Sequence, residues 1–317
     1  MALFLLINFG GPRNGEEIAP FLEALLRDRD VIRTRLPTPL HNWLFGRIAR
    51  KRALQIRADY EQIGGGSPIY NDTEALATAL SEKLQAPVLT FHRYLTSTHP
   101  EALAKINKVP QLKVIPLFPQ FSYATTGSVA RCLSQCPPTQ LRWIKSYAGH
   151  PAFIGAYQRR IATFLQDNHV AEEDAVLLFS AHGVPKRFVE EGDIYESECQ
   201  LSFSEVMKAF PRALGRLSYQ SKFGRGEWLR PYTNEMCEQI LTWNEGRKQV
   251  VIVPISFTSD HIETLFEIEH LYLPPIRARG LFAYRCPALN LEPYWVLALA
   301  QIASETNLCN TQMLVRK

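Results

Sequence analysis

The sequence contains few cysteines, and no two of them form a CxxC pair. They occur singly, as Cys132, Cys136, Cys199, Cys237, Cys286 and Cys309. This spacing argues against zinc ribbons and thioredoxin-like redox sites, and it is typical of the reduced thiols of a cytosolic protein.

Long apolar runs and a strong charge are also missing. The longest apolar runs, 3–7 and 294–300, are much shorter than the about 18 residues that span a bilayer. The N-terminus lacks the basic region and the cleavage site of a signal peptide, so we expect a cytoplasmic protein. A net charge of +4 over 317 residues is too small to indicate nucleic acid as a partner.

What is present is an alternation of strands and helices with enough apolar residues, 46% of the chain, for two cores. Short, continuously apolar runs are typical of parallel strands that are covered on both faces. They predict strands at 3–7, 88–91, 113–117, 175–179, 217–220 and 249–254.

Helices are predicted from apolar spacing between these strands. One begins at an N-cap, Asn14, with Glu17 three residues on, and another runs from Tyr195 to Phe210. A closing helix at 292–306 is too long to be a mere tail, and we expect it to pack back across one of the lobes.

The two halves follow the same plan, which predicts an α/β fold with two parallel-sheet lobes. Residues 7–12 and 179–185 occupy equivalent places, as do the strands that end near Pro116 and Pro254. Duplication of a βαβαβ unit explains this, and chance similarity of two α/β halves is the alternative. We place the join near Gly149, giving lobes 1–149 and 150–317.

Chemistry is expected where strands end, because ligands of parallel sheets bind beyond their carboxyl ends. His182 follows one strand of the second half. After another come Asp260, Glu263, Glu267 and His270, spaced as one face of an α-helix. A histidine facing these carboxylates can ligate a divalent metal or accept a proton. Two simpler explanations exist: a helix N-cap at 180–182, and a solvated helix face with a capping box at Ser259.

Two further segments are less specific. Residues 64–68 (GGGSP) lack the GK[ST] ending and the preceding strand of a phosphate loop, so we reject nucleotide binding and expect a turn or close backbone approach. Residues 33–52 combine Trp43 and other apolar side chains with basic ones that include Lys51 and Arg52. This mixture suits a flat anionic ligand or a membrane surface, and equally a surface helix with snorkelling basic residues.

Six short segments are distinctive when taken in order. They are NFGGP at 8–12, IGGGSPI at 63–69, FPQFS at 118–122 with TTGS at 125–128, LFSAHGVP at 178–185, QSKFG at 220–224 and FTSDHIETL at 257–265. With them the chain resembles, from Leu5 to about Cys309, the ferrochelatase family, the enzymes that insert iron(II) into protoporphyrin.

The resemblance implies two Rossmann-like lobes with a porphyrin cleft between them. It gives His182 and Glu263 the catalytic and metal-binding roles, with Asp260 and Glu267 as a secondary acidic row. Small molecules, a porphyrin and Fe²⁺, are then the substrates. The implied porphyrin pocket comprises Phe9, Tyr60, Ser67, Arg93, Phe118 and Trp228, with Lys51 and Arg52 placed for the propionates.

Two departures from the family pattern matter. Some members hold a [2Fe–2S] cluster with one cysteine ahead of the TTGS segment and three in a C-terminal tail. Here Tyr123 occupies the first position and only Cys309 lies near the end, so we expect no cluster. Gly183 follows the histidine where some relatives have serine, and on sequence alone this change is neutral for the chemistry.

Two other functions compete with insertion of iron into protoporphyrin. A two-lobed protein can be a non-catalytic carrier of metal or haem. A chelatase can also act on another tetrapyrrole such as coproporphyrin, or insert cobalt. The apolar side chains at 43–48 favour the less polar protoporphyrin.

Overall fold

The computed structural model describes residues 3–136, 140–224 and 226–316, without the side chain of Gln135. The chain forms two compact units. The first comprises Met1–Ser146 with Leu299–Lys317, and the second comprises Tyr147–Ala298.

Each unit contains a parallel sheet, which confirms the predicted α/β fold with two parallel-sheet lobes. In the first sheet the order is β2-β1-β3-β4-β9, and only β9 is antiparallel to its neighbour. The strands are β1 (Phe4–Asn8), β2 (Val88–His92), β3 (Leu112–Pro116), β4 (Leu141–Trp143) and β9 (Cys309–Asn310).

The second sheet is wholly parallel, with the order β6-β5-β7-β8. Its strands are β5 (Ala175–His182), β6 (Leu214–Gln220), β7 (Gln249–Val253) and β8 (Phe282–Arg285). In chain order, each sheet places its second strand outside its first and then adds the third and fourth on the other side. This shared order favours duplication.

Helices cover the sheets, and all five residues of β1 are buried as a result. The α-helices are α1 (Ile18–Arg27), α2 (Thr38–Gln62), α3 (Ile69–Leu84), α4 (His99–Ile106), α5 (Ser128–Cys132), α6 (Pro151–Asp167), α7 (Lys186–Glu190), α8 (Tyr195–Met207), α9 (Thr233–Glu238), α10 (Leu273–Arg277) and α11 (Pro293–Ala303). Wider π-helices span Tyr123–Gly127 and Glu263–Tyr272, and short 3₁₀ turns span Thr96–Thr98, Leu133–Gln135, Glu172–Asp174, Ile240–Thr242 and Thr311–Met313.

The first helix begins later than predicted. The side chain of Asn14 accepts hydrogen bonds from the N–H groups of Glu16 and Glu17, but these belong to a turn, and α1 starts only at Ile18. Asn14 therefore caps the turn that leads into the helix.

The glycine-rich segment follows the 25-residue helix α2, so the prediction that a helix and not a strand precedes it is confirmed. Gly64 and Gly65 have left-handed φ angles of 101° and 86°. A Cβ on Gly66 would lie 2.3 Å from the carbonyl oxygen of Arg13. The glycines thus make a turn and allow two backbone segments to approach closely.

The last helix, α11, is shorter than the predicted 292–306, and the division between the two units falls within it. Among the helices of the described ranges, none combines the length and the apolar character that crossing a membrane requires.

Candidate functional site

His182 is the last residue of β5, three residues beyond the predicted end of that strand. It pairs with Gln220 of β6, and the next N–H, that of Gly183, donates to the Gln220 carbonyl at 2.8 Å. The backbone N–H of His182 donates to Ser256 Oγ at 2.9 Å. The alternative explanation of 180–182 as a helix N-cap is wrong, because α7 begins only at Lys186.

The imidazole of His182 is oriented by its own neighbour. Nδ1 lies 2.6 Å from the carbonyl oxygen of Gly183, which can only accept, so Nδ1 carries the proton. In the neutral ring Nε2 therefore presents a lone pair. It lies 3.5 Å from Oε2 of Glu263. Two acceptors face each other across this gap, and a proton or a cation placed there relieves their repulsion.

Glu263 is the first residue of the second π-helix. Its Oε2 accepts a hydrogen bond from Ser221 Oγ at 3.2 Å and lies 4.0 Å from Nε2 of His261. Nδ1 of His261 lies 3.2 Å from the Ser259 carbonyl, so this imidazole also turns a lone pair toward the carboxylate. Burial lowers the pKa of His261, which favours that neutral form.

Glu267 lies one helical turn further on. Its Oε2 accepts hydrogen bonds from Ser221 Oγ at 2.7 Å and from the Tyr272 hydroxyl at 3.2 Å. Burial, followed by the charge of Glu263, raises the pKa of Glu267 to about 7. This carboxyl can therefore exchange a proton near neutral pH.

The prediction that Asp260 lies on one helix face with Glu263 and Glu267 is wrong. Its buried carboxylate binds Arg285 Nη1 at 2.9 Å, Asn290 Nδ2 at 2.7 Å and Thr264 Oγ1 at 2.8 Å. Asp260 precedes the helix and fastens it to neighbouring loops. These contacts also replace the capping box expected at Ser259.

The prediction that His270 shares this face is also wrong. His270 is exposed and stacks on Phe266 with ring centroids 4.9 Å apart. The predicted face assumed α-helical winding, whereas this segment winds as a π-helix. The explanation as a solvated face fails too, because Glu267 is mostly covered and held by hydrogen bonds.

Trp228 is half-buried beside the residue that follows β5. A Cβ on Gly183 would lie 3.3 Å from its ring and 2.8 Å from the Gln220 carbonyl oxygen. The backbone of its loop pairs with that of 184–186, through Leu229 N to Val184 O at 3.0 Å. The indole of Trp228 and the backbone of β6 therefore both lie close to Gly183. A side chain at this position would require the backbone beside His182 to shift.

In the first unit, aromatic side chains follow two adjacent strands. Phe9 comes directly after β1 and Phe118 just after β3, and their ring centroids are 4.6 Å apart. The ring centroid of Tyr94, which comes shortly after β2, lies 5.3 Å from that of Phe9. Ser67 is buried next to this strand end, since a Cβ on Gly11 would lie 2.7 Å from its Oγ.

Arg93 follows β2, and its guanidinium is engaged within the protein. Nη2 donates to Asp28 at 2.7 Å and Nε to Ser128 Oγ at 2.9 Å. This network stabilises the wall behind the Phe9–Phe118 pair, since the Tyr94 hydroxyl also donates to Asp28 at 3.0 Å.

The remaining predicted porphyrin residues lie on α2. Tyr60 is buried near its end. Lys51 is exposed and Arg52 half-buried, about 12–14 Å earlier along the helix axis. The structure therefore does not bring these two basic side chains to the same turn as Tyr60.

Sequence reasoning missed Ser221 and His261 as members of the site. Ser221 directly follows β6, so the rule used for His182 would have found it. His261 gave no separate signal because it lies within the acidic segment. Within the described part of the chain, no group of three or more His, Cys, Asp or Glu side chains is arranged to hold a metal ion.

The family model and two known proteins that are clearly similar in sequence to this chain carry the same name, ferrochelatase. The Ferrochelatase family model matches residues 3–307. The ferrochelatase of Chlamydia abortus is 44% identical, covering 100% of this chain and 99% of the relative, and that of Chlamydia caviae is 45% identical over 96% of each.

A solved structure shows the fold as well. SirB from Bacillus subtilis, solved with Fe³⁺, has a TM-score of 0.53 and 16% identity, covering 73% of this chain and 86% of SirB. The full-length match of the family model and the identity to its members together establish that the chain belongs to the ferrochelatase family, a family of porphyrin metal chelatases.

Proposed function

We propose that the chain inserts Fe(II) into protoporphyrin IX, forming protohaem and releasing two protons, as the last step of haem biosynthesis. The reaction is a lyase reaction on small-molecule substrates. One observation carries the proposal: Nε2 of His182 and Oε2 of Glu263 face each other at 3.5 Å, with Nδ1 protonated by its contact to Gly183.

This separation suits a metal ion held by both atoms. Bonds of about 2.1 Å at a tetrahedral angle separate two ligand atoms by about 3.4 Å. A neutral imidazole and a carboxylate are donors that a divalent transition metal accepts. We assign Glu263 and His182 to iron on this basis.

The lone pair on Nε2 of His182 can instead accept a pyrrole proton. It cannot bind iron and accept a proton at the same time. A proton accepted there has a partner in Glu263, and beyond it Ser221 links to Glu267. Glu267, whose pKa is raised to about 7 by burial, is the acceptor that we assign to the end of this chain of hydrogen bonds.

In the first unit we assign the flat face of the porphyrin to Phe9 and Phe118, with Ser67, Tyr60 and Arg93 in the surrounding wall. The close aromatic pair beyond β1 and β3 supports this. In the second unit we assign Trp228, whose ring lies beside Gly183. We further assign porphyrin binding to the first lobe, predicted as 1–149, and metal binding to the second, predicted as 150–317, of which 299–317 belong to the first unit.

We assign the propionates to Lys51 and Arg52, and we propose that the exposed face of α2 contacts an anionic membrane surface. Leu40, Trp43 and Leu54 are 46%, 56% and 78% exposed. Arg47 lies 5.3 Å over the Trp43 ring on the same face. Exposed apolar and basic side chains on one helix face suit an interfacial helix.

We also propose that the protein has no resident iron–sulfur cluster and acts in the cytoplasm. The scattered cysteines support both statements. Iron and sulfide analysis of the aerobically and anaerobically purified protein tests the first. Equimolar labile sulfide and a visible charge-transfer band would contradict it.

The central experiment follows the loss of free-base porphyrin fluorescence with Fe(II) under anaerobic conditions. We expect product in large excess over protein, whereas a carrier would stop at one equivalent. Parallel assays with coproporphyrin, and with Co(II) in place of iron, distinguish the alternative chelatases. Faster turnover on either would replace the substrate proposed here.

A further inference from the structure

Arg285, the last residue of β8, contacts the segment around the second π-helix at two positions, Asp260 just before the helix and Glu269 within it. Nη1 lies 2.9 Å from Asp260 Oδ1 and Nε lies 3.2 Å from Glu269 Oε1. Its side chain is only 15% exposed. Asp260 precedes Glu263 by three residues and Glu269 follows it by six, so one guanidinium brackets the residue that we assign to iron.

The anchor at Asp260 is itself fixed. The carboxylate accepts from Thr264 Oγ1 at 2.8 Å and from Asn290 Nδ2 at 2.7 Å, and the backbone N–H of Asp260 donates back to Asn290 Oδ1 at 2.7 Å. Asn290 holds a left-handed φ of 47°. The start of the π-helix is thereby joined to the loop after β8.

This bracing matters because a π-helix is a rare winding, found mostly as single turns within α-helices and often at functional sites. Here it runs for ten residues. If the segment rewound as an α-helix, Glu263 and Glu267 would rotate relative to the strand end that carries His182. Contacts that tie the residue before the helix and a residue within it to the end of β8 oppose this rotation.

We propose that Arg285 is a positioning residue for metal insertion: by joining Asp260 and Glu269 to the end of β8, it keeps Glu263 aimed at Nε2 of His182. The inference rests on the proposed function. It assigns to Arg285 no contact with iron or porphyrin.

The test compares Arg285→Gln with the matched control Arg160→Gln in steady-state metal insertion. Arg160 is 16% exposed in the same unit and bonds Glu292 at 2.6 Å and the Pro287 carbonyl at 3.3 Å. We expect Arg285→Gln to lower kcat about ten- to a hundredfold and to raise KM for the metal, since misplacing a reacting group by an ångström has effects of this size. KM for the porphyrin should stay within about twofold of the parent.

Two milder variants keep the test valid if Arg285→Gln folds poorly. Glu269→Gln removes the more exposed contact and should lower kcat less, in the same direction. Arg285→Lys keeps the charge but not the two-armed contact, and should recover part of the loss. A second readout is Co(II) binding without porphyrin, which we expect to weaken in Arg285→Gln and in Glu263→Gln, and not in Arg160→Gln.

The outcomes separate the two claims. If the parent inserts metal and Arg285→Gln matches Arg160→Gln in kcat, metal KM and Co(II) affinity, Arg285 has only a structural role and the inference is overturned. If the parent shows no insertion, the proposed function fails, and this inference falls with it.

Discussion

Oγ of Ser221 lies 2.7 Å from Oε2 of Glu267 and 3.2 Å from Oε2 of Glu263. A hydroxyl has one proton, so it donates to one carboxylate at a time. Ser221 holds this place with a left-handed φ of 60°, a conformation that strains a non-glycine residue by about 1–3 kcal/mol. The site thus retains a strained serine where it links the two carboxylates.

Replacing Ser221 by alanine should shift the pH dependence of insertion upward. The hydroxyl stabilises ionised Glu267, so its loss raises the pKa of that carboxyl above its present value of about 7. If ionised Glu267 accepts a proton, kcat at neutral pH falls and recovers as the pH rises. Ser221→Gly removes the same hydroxyl and relieves the left-handed strain, so it should show the same shift. An unchanged pH profile in both variants would rule out the link.

Removing either member of the central pair should abolish metal insertion while porphyrin still binds. We expect His182→Ala and Glu263→Gln each to lower kcat by about 10²–10⁴, the usual effect of losing an acid–base or charged group at the reacting atoms. Quenching of porphyrin fluorescence should give unchanged affinity. His270→Ala is the control, because this histidine is exposed on the same helix. Near-normal turnover of His182→Ala would show that the assignment is mistaken.

Strand ends directed attention to His182 and to the acidic segment after β7, and the family resemblance singled out Glu263 within that segment. Continuous apolar runs identify parallel strands, and the carboxyl edge of such a sheet is where ligands bind. The order of strands within each sheet did not follow from these runs, since β4 and β8 are too short, at three and four residues, to leave a clear pattern.

What the sequence could not give was the winding of the acidic segment. Spacing of apolar and acidic residues was interpreted with the α-helical period, which places Asp260 and Glu267 together. In the structure Asp260 lies before the π-helix and is bound by Arg285 and Asn290, whereas Glu267 lies within the helix. Arg285 and Asn290 are distant in sequence, so the spacing of nearby residues does not reveal these contacts. Likewise, β5 continues to His182 because Gln220 pairs with it. Such contacts are tertiary, and no local pattern encodes them.

Glu267→Gln should stabilise the protein at and above neutral pH. The folded-state pKa of about 7 lies above the ordinary value of 4.5. Between these values the folded protein holds a proton that the unfolded chain has released, so this carboxyl lowers the free energy of unfolding as the pH rises. Removing it should increase that free energy by about 1–3 kcal/mol at pH 8 and by almost nothing at pH 4.

Urea denaturation at the two pH values measures this difference. Glu205→Gln serves as the control, because its carboxylate forms a surface pair with Lys208 at 2.6 Å. It should change little at either pH. Equal effects of Glu267→Gln at pH 4 and pH 8 would mean that the carboxyl titrates normally in the folded protein.

The exposed face of α2 should bind anionic vesicles in a salt-dependent manner. Screening weakens attraction between the basic side chains and the lipid headgroups, while the apolar contribution remains. Trp43→Ala should weaken binding in co-sedimentation, and Leu241→Ala, at a site of similar exposure in the second unit, should not. Equal sedimentation of the parent with neutral and anionic vesicles, or none at low salt, would remove this surface from the proposal.

Gly183→Ala should impair insertion, although the sequence alone suggested that this position tolerates other residues. The added Cβ would lie 2.8 Å from the Gln220 carbonyl oxygen and 3.3 Å from the Trp228 ring. Because backbone cannot move aside as a side-chain tip does, the Gly183–Gln220 hydrogen bond must lengthen. The carbonyl of Gly183 shifts with it, and that carbonyl fixes Nδ1 of His182.

We therefore expect kcat to fall about tenfold, because the imidazole loses its orientation toward Glu263. Gly155→Ala is the matched control: it lies in α6 with nothing within 4 Å of the added Cβ, and it should keep full activity and gain about 0.5–1 kcal/mol of stability. Activity of Gly183→Ala equal to that of Gly155→Ala would show that the strand end relaxes without turning His182. A loss in kcat at unchanged melting temperature would instead locate the effect at the imidazole.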